Sequence, residues 1–490
     1  MKNILYMLFG VVVFNLYACE RAVEVTPTSD ITQASFWKTE GDAQGALNGM
    51  YARLRTVSAE DLFMLGEGRG ETLARARAGT VGYDKYYEQT LTVNNAGPSW
   101  LGIYAAIDAS NLLIKYVPGI SFNSEADKNN ILAQAYTNRA FMYYVLVRTY
   151  GGVPIRTVPT ESYDPATIHL ERSTTEQVFD VIKDDLEKAL DLYPNNNFPA
   201  GRVKWSRAAA SALKGDVYLW TGKRLGGGNA DFTTALAALQ DIQAADVQLL
   251  TNYADIFDYD NKGNKEILMA VQFDILESGN NYFKYMYYNA SNLPAGISQA
   301  TRDVIGVIGT GNDGNSIMQA SSTLRNQYAA GDTRKAGTFF EVYTTANVYQ
   351  SSIAAKGKGK VEGGVRHFKD DIILYRYADA LLMIAEAKNA LSQNPTDEIT
   401  QVRNRAYQNV GVPTFNHSSV EANDAVILKE RLLELALEGK RWWDLVRFDK
   451  AFDLVPALQG RSSDQHLLVF PIGTSLRSLE PFVTENEGWE

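Results

Sequence analysis

The densest gathering of side chains that could do chemistry runs from Lys429 to Phe448. Glu430, Glu434 and Glu438 recur there every four residues, among Lys429, Arg431, Lys440, Arg441, Asp444 and Arg447. At helical spacing the three glutamates share one face and Leu428, Leu432 and Leu435 share another. Carboxylates so placed can act as acids and bases, or they can be the fixed charges of a docking helix held by arginine–carboxylate bridges. The second reading fits the run better. Gly439 would permit close packing, Trp442 or Trp443 would anchor, and Arg441 would pair with Asp444 one turn on.

Other strings that suggest chemistry fail on context. Gly309-x-Gly311-x-x-Gly314 has the letters of a dinucleotide fingerprint, but no βαβ unit surrounds it. Asp258-x-Asp260-x-Lys262-Gly263 begins like a calcium loop, yet puts Lys262 at a ligand position and Met269 where the bidentate glutamate belongs. His169, His367, His417 and His466 are scattered, with no pair at metal-ligand spacing. No nucleophile elbow and no phosphate-binding glycine loop occur. The two acids of a glycosidase need closeness in space only, and acids are plentiful with none marked. These strings mark no catalytic residue and no metal site, and a surface glycoside hydrolase stays open.

Aromatic and charged residues gather instead in two irregular stretches. Glu60 to Ser99 carries Glu67, Arg69, Glu71, Arg75 and Arg77 and then Tyr83, Tyr86 and Tyr87. Thr251 to Asp370 holds the strand-like run Ile267–Phe273, then Tyr282, Phe283, Tyr285, Tyr287 and Tyr288, then glycine-rich segments. Loops on rigid scaffolds are where binding residues concentrate. A phenol offers an apolar face and a polar tip, which suits wet recognition surfaces as well as cores. The candidate binding residues in these stretches are Tyr83, Tyr86, Tyr285 and Tyr288 for rings and Arg69 and Glu71 for polar groups. Arg69, Arg75 and Arg77 would alternatively answer carboxylates or sulfates of an acidic polysaccharide.

The single cysteine, Cys19, closes an apolar run from Ile4 to Leu16 that follows Lys2. That is the layout of a secretory signal, too short for the roughly 20 residues of a spanning helix. A thiol at the cleavage point resembles a bacterial lipobox, with Tyr17 an unusual residue within it; an ordinary signal with an incidental thiol is the alternative. With Cys19 lipidated, the folded part has no thiol for disulfides, thiolate catalysis or zinc. The net charge of −10 argues against nucleic acid, whose affinity comes mainly from phosphate neutralisation. It equally argues against a polybasic hold on lipid, leaving the acyl chains to anchor the protein.

The elements that must position these residues are paired helices. Apolar stripes at helical period run through Ala43–Leu54 and Ile103–Val117, Leu132–Val147 and Val178–Ala189, Leu213–Trp220 and Phe232–Ile242, and Leu374–Ala385 and Ile399–Ala406. Ser173-x-x-Glu176 reads as a capping box. Ala209, Ala212 and Gly215 put small residues on one side of a helix for close approach. The repeat period is irregular, which excludes a clean 34-residue array. The fold expected is mainly α, a tetratricopeptide-like helical-repeat scaffold with a long loop-rich ligand-binding insert. The boundaries read as signal 1–18, tether 19–34 and one domain 35–490, its core at about 35–250 and 371–450 and its insert at about 251–370.

The run Glu430-Arg-x-x-Glu-Leu-x-x-Glu-Gly-x-Arg-Trp-x-Asp-Leu-x-Arg447 resembles the C-terminal signature of the SusD/RagB family of outer-membrane lipoproteins. Other pieces stand in the family's order: Phe36-Trp37, Ala46-x-x-Gly-x-Tyr51, Trp100-x-x-x-Tyr104-x-x-Ile107-x-x-x-Asn111, Arg139-Ala-x-x-Tyr143 through Tyr150-Gly-Gly-Val-Pro154, Ala212–Leu219, Tyr375–Asp379 with Glu386-Ala387, and Val402-Arg-x-Arg405-Ala. The chain departs from the family at Gly473, where a second proline is usual, and in its ending Glu485–Trp489. The resemblance implies a surface-exposed, lipid-anchored protein of the outer membrane that binds oligosaccharides, or in some members peptides. It also implies a binding protein with no catalytic residue and no cofactor, a SusC-like TonB-dependent transporter as partner, and excursions that form the ligand cleft, in which Tyr83, Tyr86, Tyr285 and Tyr288 would be platforms for sugar rings and Arg69 and Glu71 the polar rim.

Overall fold

Helices start where side chains can cap them. The computed structural model of the protein describes residues 36–489, apart from 79–81, 278, 307, 309–313 and the side chain of Ala166. Cys19, the signal, the tether and Gly309-x-Gly311 lie outside the described residues. Helix α1 (Glu40–Ser58) opens on Thr39, whose hydroxyl accepts from the Asp42 amide while Asp42 answers the Thr39 amide. Further main helices are α2 (Asp61–Gly66), α3 (Asp84–Tyr87), α4 (Leu101–Tyr116), α5 (Glu125–Tyr150), α6 (Thr175–Leu192), α7 (Arg207–Arg224), α8 (Gly228–Asp241), α9 (Tyr377–Ala390), α10 (Thr396–Ala406), α11 (Val420–Leu435) and α12 (Arg441–Arg447). The box of α6 is made by Thr174 and Gln177, one residue beyond the expected Ser173 and Glu176. Ser173 is held outside the helix because its amide donates to the Val153 carbonyl.

The expected pairing is observed. Helix α1 packs on α4, α4 on α5, α5 on α6, α7 on α8, and α9 on α10 and α11. From Ile131 on, α5 is buried on nearly every side, as suits a helix at the centre of a bundle. A Cβ added at Gly215 of α7 would lie 2.4 Å from Leu239 of α8, so the small-residue stripe does serve close approach. The stripe from Leu374 to Ala385 is helical over only part of its length. Leu374 belongs to strand β8 (Ile372–Arg376), and the helix begins only at Tyr377.

The long excursion leaves and rejoins the helical scaffold side by side. Strand β2 (Ile267–Val271) pairs antiparallel with β8, Ile267 opposite Arg376 and Val271 opposite Ile372. Between them lie two further two-stranded pairs, β4 (Phe339–Tyr343) with β5 (Tyr349–Ala354) and β6 (Lys360–Glu362) with β7 (Val365–His367), and strand β3 (Met318–Ala320), which pairs with β1 (Leu73–Arg75). The β1–β3 pair joins the two irregular stretches, since one strand comes from each. Among the described residues, no helix is long and apolar enough to cross a membrane.

The glutamates of α11 are structural. Arg376, wholly buried, reaches Glu266 at 2.9 Å, Glu434 at 2.6 Å and Glu438 at 2.9 Å. Arg405 bridges Glu266 and Glu434, Arg334 meets Glu430 at 2.6 Å, and Lys356 meets Glu438 at 2.5 Å. Burial alone would push the Glu434 acid up; the charges of Arg405, Arg376 and Arg334 overcome it and hold the acid well below the usual carboxylate range. Arg441 does not pair with Asp444. It turns to Glu71 at 2.5 Å, while Asp444 takes Arg431 at 2.9 Å and Arg447 at 3.1 Å.

Because its acid is held low when folded, the contribution of Glu434 is present above about pH 4.3, the unfolded glutamate value, and is lost as pH falls through the lower folded value. Glu434→Gln leaves three arginines without their shared charge. It should destabilise the protein by about 3–5 kcal/mol in urea unfolding at pH 7, a loss that shrinks toward pH 3.

Candidate functional site

Two tyrosines from the two irregular stretches meet over one carboxylate. Tyr83 stands at the start of α3, and Tyr285 lies in a 3-10 turn, Tyr282–Met286. Both rings are half-buried, with centroids 5.2 Å apart and planes tilted by 45°. The Tyr83 hydroxyl donates to Glu60 Oε1 at 2.5 Å, and the Tyr285 hydroxyl donates to Glu60 Oε2. Burial and then the bond to Glu60 push the Tyr285 phenol up to about 12, so both phenols stay protonated donors. Glu60 sits at the corner between α1 and α2. Beside it is Asp61, whose acid is pushed up to about 6 by burial and by the Glu60 charge. Lys284 completes the cradle, its ammonium 4.8 Å from the Tyr285 ring centre. The arrangement offers two apolar ring faces, carboxylate acceptors and one cation, which suits binding a polyhydroxylated ligand.

The other four expected site residues are in the interior, and the expectation is corrected for each. The Arg69 guanidinium lies over Trp442 at 4.4 Å and Phe470 at 5.0 Å, and donates to Gln89 and the Val469 carbonyl. Burial and the Arg461 charge push it down to about 9. Glu71 is consumed by Arg441. Tyr288 is 1% exposed with its hydroxyl on Ser351, so its ring belongs to the core of the insert. The Tyr86 ring is 6% exposed and packs against Phe470. Excursions this long bury side chains of their own, and outward and inward tyrosines carry the same letter. Of the remaining arginines, Arg75 pairs with Asp84 at 3.3 Å and Arg77 is exposed. Sequence reasoning missed Glu60, Asp61 and Lys284, because Glu60 meets partners 23 and 225 residues away.

The first stretch is fixed in place by another buried carboxylate. Glu67 accepts from the amides of Leu437 at 3.0 Å, Gly439 at 3.1 Å and Lys440 at 3.2 Å, and from the Thr72 hydroxyl at 2.7 Å. Successive amides converging on one anion form a backbone nest. Gly439 makes this possible with φ +72°, and a Cβ at Gly66 would fall 1.9 Å from the Gly439 carbonyl oxygen.

Comparison with known proteins agrees with this architecture. The chain matches the sequence profile of the SusD family over residues 195–466 and that of a family described as "Starch-binding associating with outer membrane" over residues 27–219. It is 28% identical to the SusD-like protein P38 of Formosa agariphila over 93% of each chain. It is similar in structure to NanU of B. fragilis, at 31% identity and TM-score 0.80 over 95% of this chain and 100% of that one. It shares its fold with a laminarin binding SusD-like protein, at 23% identity and TM-score 0.75 over 92% of this chain and 100% of that one.

Removing the Glu67 side chain strands several buried amides, each worth about 1–3 kcal/mol when left unpaired. Glu67→Ala should therefore lower unfolding free energy by about 3 kcal/mol or more in a urea titration, whereas an exposed control such as Glu88→Ala should stay within about 0.5 kcal/mol.

Proposed function

The chain belongs to the SusD family, and from that premise we propose that it is a surface lipoprotein that captures oligosaccharides at the Tyr83–Tyr285 cradle. In this reading Cys19 carries the lipid that holds it to the outer membrane. It passes its ligand to a SusC-like TonB-dependent transporter and breaks no bond. The observation that carries the reading is the meeting of two half-exposed phenols from separate excursions over one carboxylate. A relative in structure that binds laminarin and the starch-binding description of the matching N-terminal family lend it support.

The physics of capture follows from the cradle. A sugar ring lays its C–H patch on a phenol face and donates hydroxyls to the remaining lone pairs of Glu60. If each stacked ring removes roughly 100 Å² of apolar surface from water, each contributes about 2.5 kcal/mol. Two platforms thus barely exceed the lower estimates of the association cost, about 4 kcal/mol and upward. Stacking alone therefore leaves affinity weaker than about millimolar, hydroxyl bonds to Glu60 add to it, and weak capture suits a protein that must release what it holds.

Affinity electrophoresis in gels containing the glycan, with thermal melting alongside, tests the reading. Tyr83→Ala and Tyr285→Ala should each abolish retention with little change in melting temperature. Tyr288→Ala should instead cost about 3–5 kcal/mol of stability as a core truncation. Full retention by both cradle variants would remove these rings from the site, and release of shortened glycan during incubation would point to a hydrolase.

A further inference from the structure

The cradle differs from the rest of the protein in how it treats negative charge. Many interior carboxylates are answered by cations: Glu434 by three arginines, Asp379 by Arg431 and Lys440, Asp185 by Arg139, Asp216 by Arg447, and buried Glu67 by a nest of backbone amides. Glu60 meets only two phenols, and the Asp61 carboxylate has no hydrogen-bond or ion-pair partner among the described residues. The arginines nearest in sequence are engaged elsewhere. Arg55 pairs with Glu277, Arg69 lies on Trp442, and Arg75 pairs with Asp84. The charge of Arg77 is felt at buried Tyr288. Lys284 is the cation beside the Tyr285 ring, and Lys85, 5.3 Å from the Tyr86 ring, is spent on Asn95 and the Ala96 carbonyl.

A second observation points the same way. Tyr86, more than nine-tenths buried, has a hydroxyl without a partner among the described residues, near enough to Asp61 and Glu60 that their charges, after burial, hold its proton on. Tyr83 caps the start of α3, and Tyr86 lies one turn on. The two phenol donors of Tyr83 and Tyr285 are already spent on Glu60. What the cradle has left over is acceptor capacity, namely the free lone pairs of Glu60 and both oxygens of Asp61. A hydroxyl or an ammonium on the ligand can fill it. A uronate or a sulfate brings acceptors and more negative charge to a place that already holds a surplus of both.

Resting on the reading of the site given above, we propose that the cradle takes neutral or amino-bearing glycan units and excludes uronate-bearing and sulfated ones. Glu60 and Asp61 set this specificity. The alternative of an acidic polysaccharide gripped by Arg69, Arg75 and Arg77 loses two of its three arginines to existing contacts.

The test is a glycan array carrying neutral, amino-bearing, uronate and sulfated oligosaccharides, probed with the whole protein, Tyr285→Ala and Asp61→Asn. Ionic strength is held near physiological, so that nonspecific charge effects are screened. Neutral or amino-bearing glycans should bind at least about tenfold more tightly than uronate or sulfated ones, and Tyr285→Ala should erase the signal. Asp61→Asn should narrow the gap at least about threefold, because it removes one charge while keeping the side chain's size. Uronate or sulfated glycans bound by the native protein and lost in Tyr285→Ala would overturn this proposal while leaving glycan capture intact. An unchanged gap in Asp61→Asn would overturn the role of Asp61. An array with no bound glycan of any kind would overturn the capture reading and this inference with it.

Discussion

The structure hangs on the ion cluster around Arg376, out of reach of water. A guanidinium there costs several kcal/mol in lost hydration and repays it only if its donors find well-placed acceptors. Arg376 does so, spending its donors on Glu266, Glu434, Glu438 and the Glu434 carbonyl. Each acceptor is in turn shared: Glu434 with Arg334 and Arg405, Glu266 with Arg405, Glu438 with Lys356. Charges balance only when all the contributing segments are present together. The cluster therefore acts as a registry device, tolerating one arrangement of β8, α10, α11 and the turn after α11.

The two excursions are fastened to that same place. The long one begins beside Glu266 and ends at Arg376, so the β2–β8 ladder that closes it is pinned at its base. Arg334 and Lys356, from within it, return to α11 and its turn. The short one sends Glu67 into the amides of that turn and Glu71 to Arg441. The β1–β3 pair then joins one excursion to the other. Tyr83 and Tyr285 thus meet because each is hung from a common buried anchor, without a rigid helix beneath either ring. Their placement is a consequence of the interior electrostatics.

How much of this was legible in the sequence depended on whether a period existed to be read. Stripes such as Leu132–Val147 and Val178–Ala189 identified their helices, because one buried face forces the spacing. The arginine–glutamate reading of α11 was legible from the four-residue recurrence of Glu430, Glu434 and Glu438, although their partners were not. Arg334, Arg376 and Arg405 lie 58 to 100 residues from Glu434 for two of the three, and no spacing announces such a contact. In the excursions no period exists, so Tyr285 and Tyr288 looked equivalent while one faces solvent and the other Ser351. Glu60 gave no signal, being one of two adjacent acids at a helix end with no period to mark it.

The claim that rises or falls as a whole is that the cradle is where a glycan rests. A crystal structure of the protein grown with a neutral oligosaccharide tests it most directly. The account predicts density for a sugar ring against Tyr83 or Tyr285, with a hydroxyl within hydrogen-bond distance of Glu60. Ordered sugar elsewhere on the molecule, with both phenols bare, would contradict it.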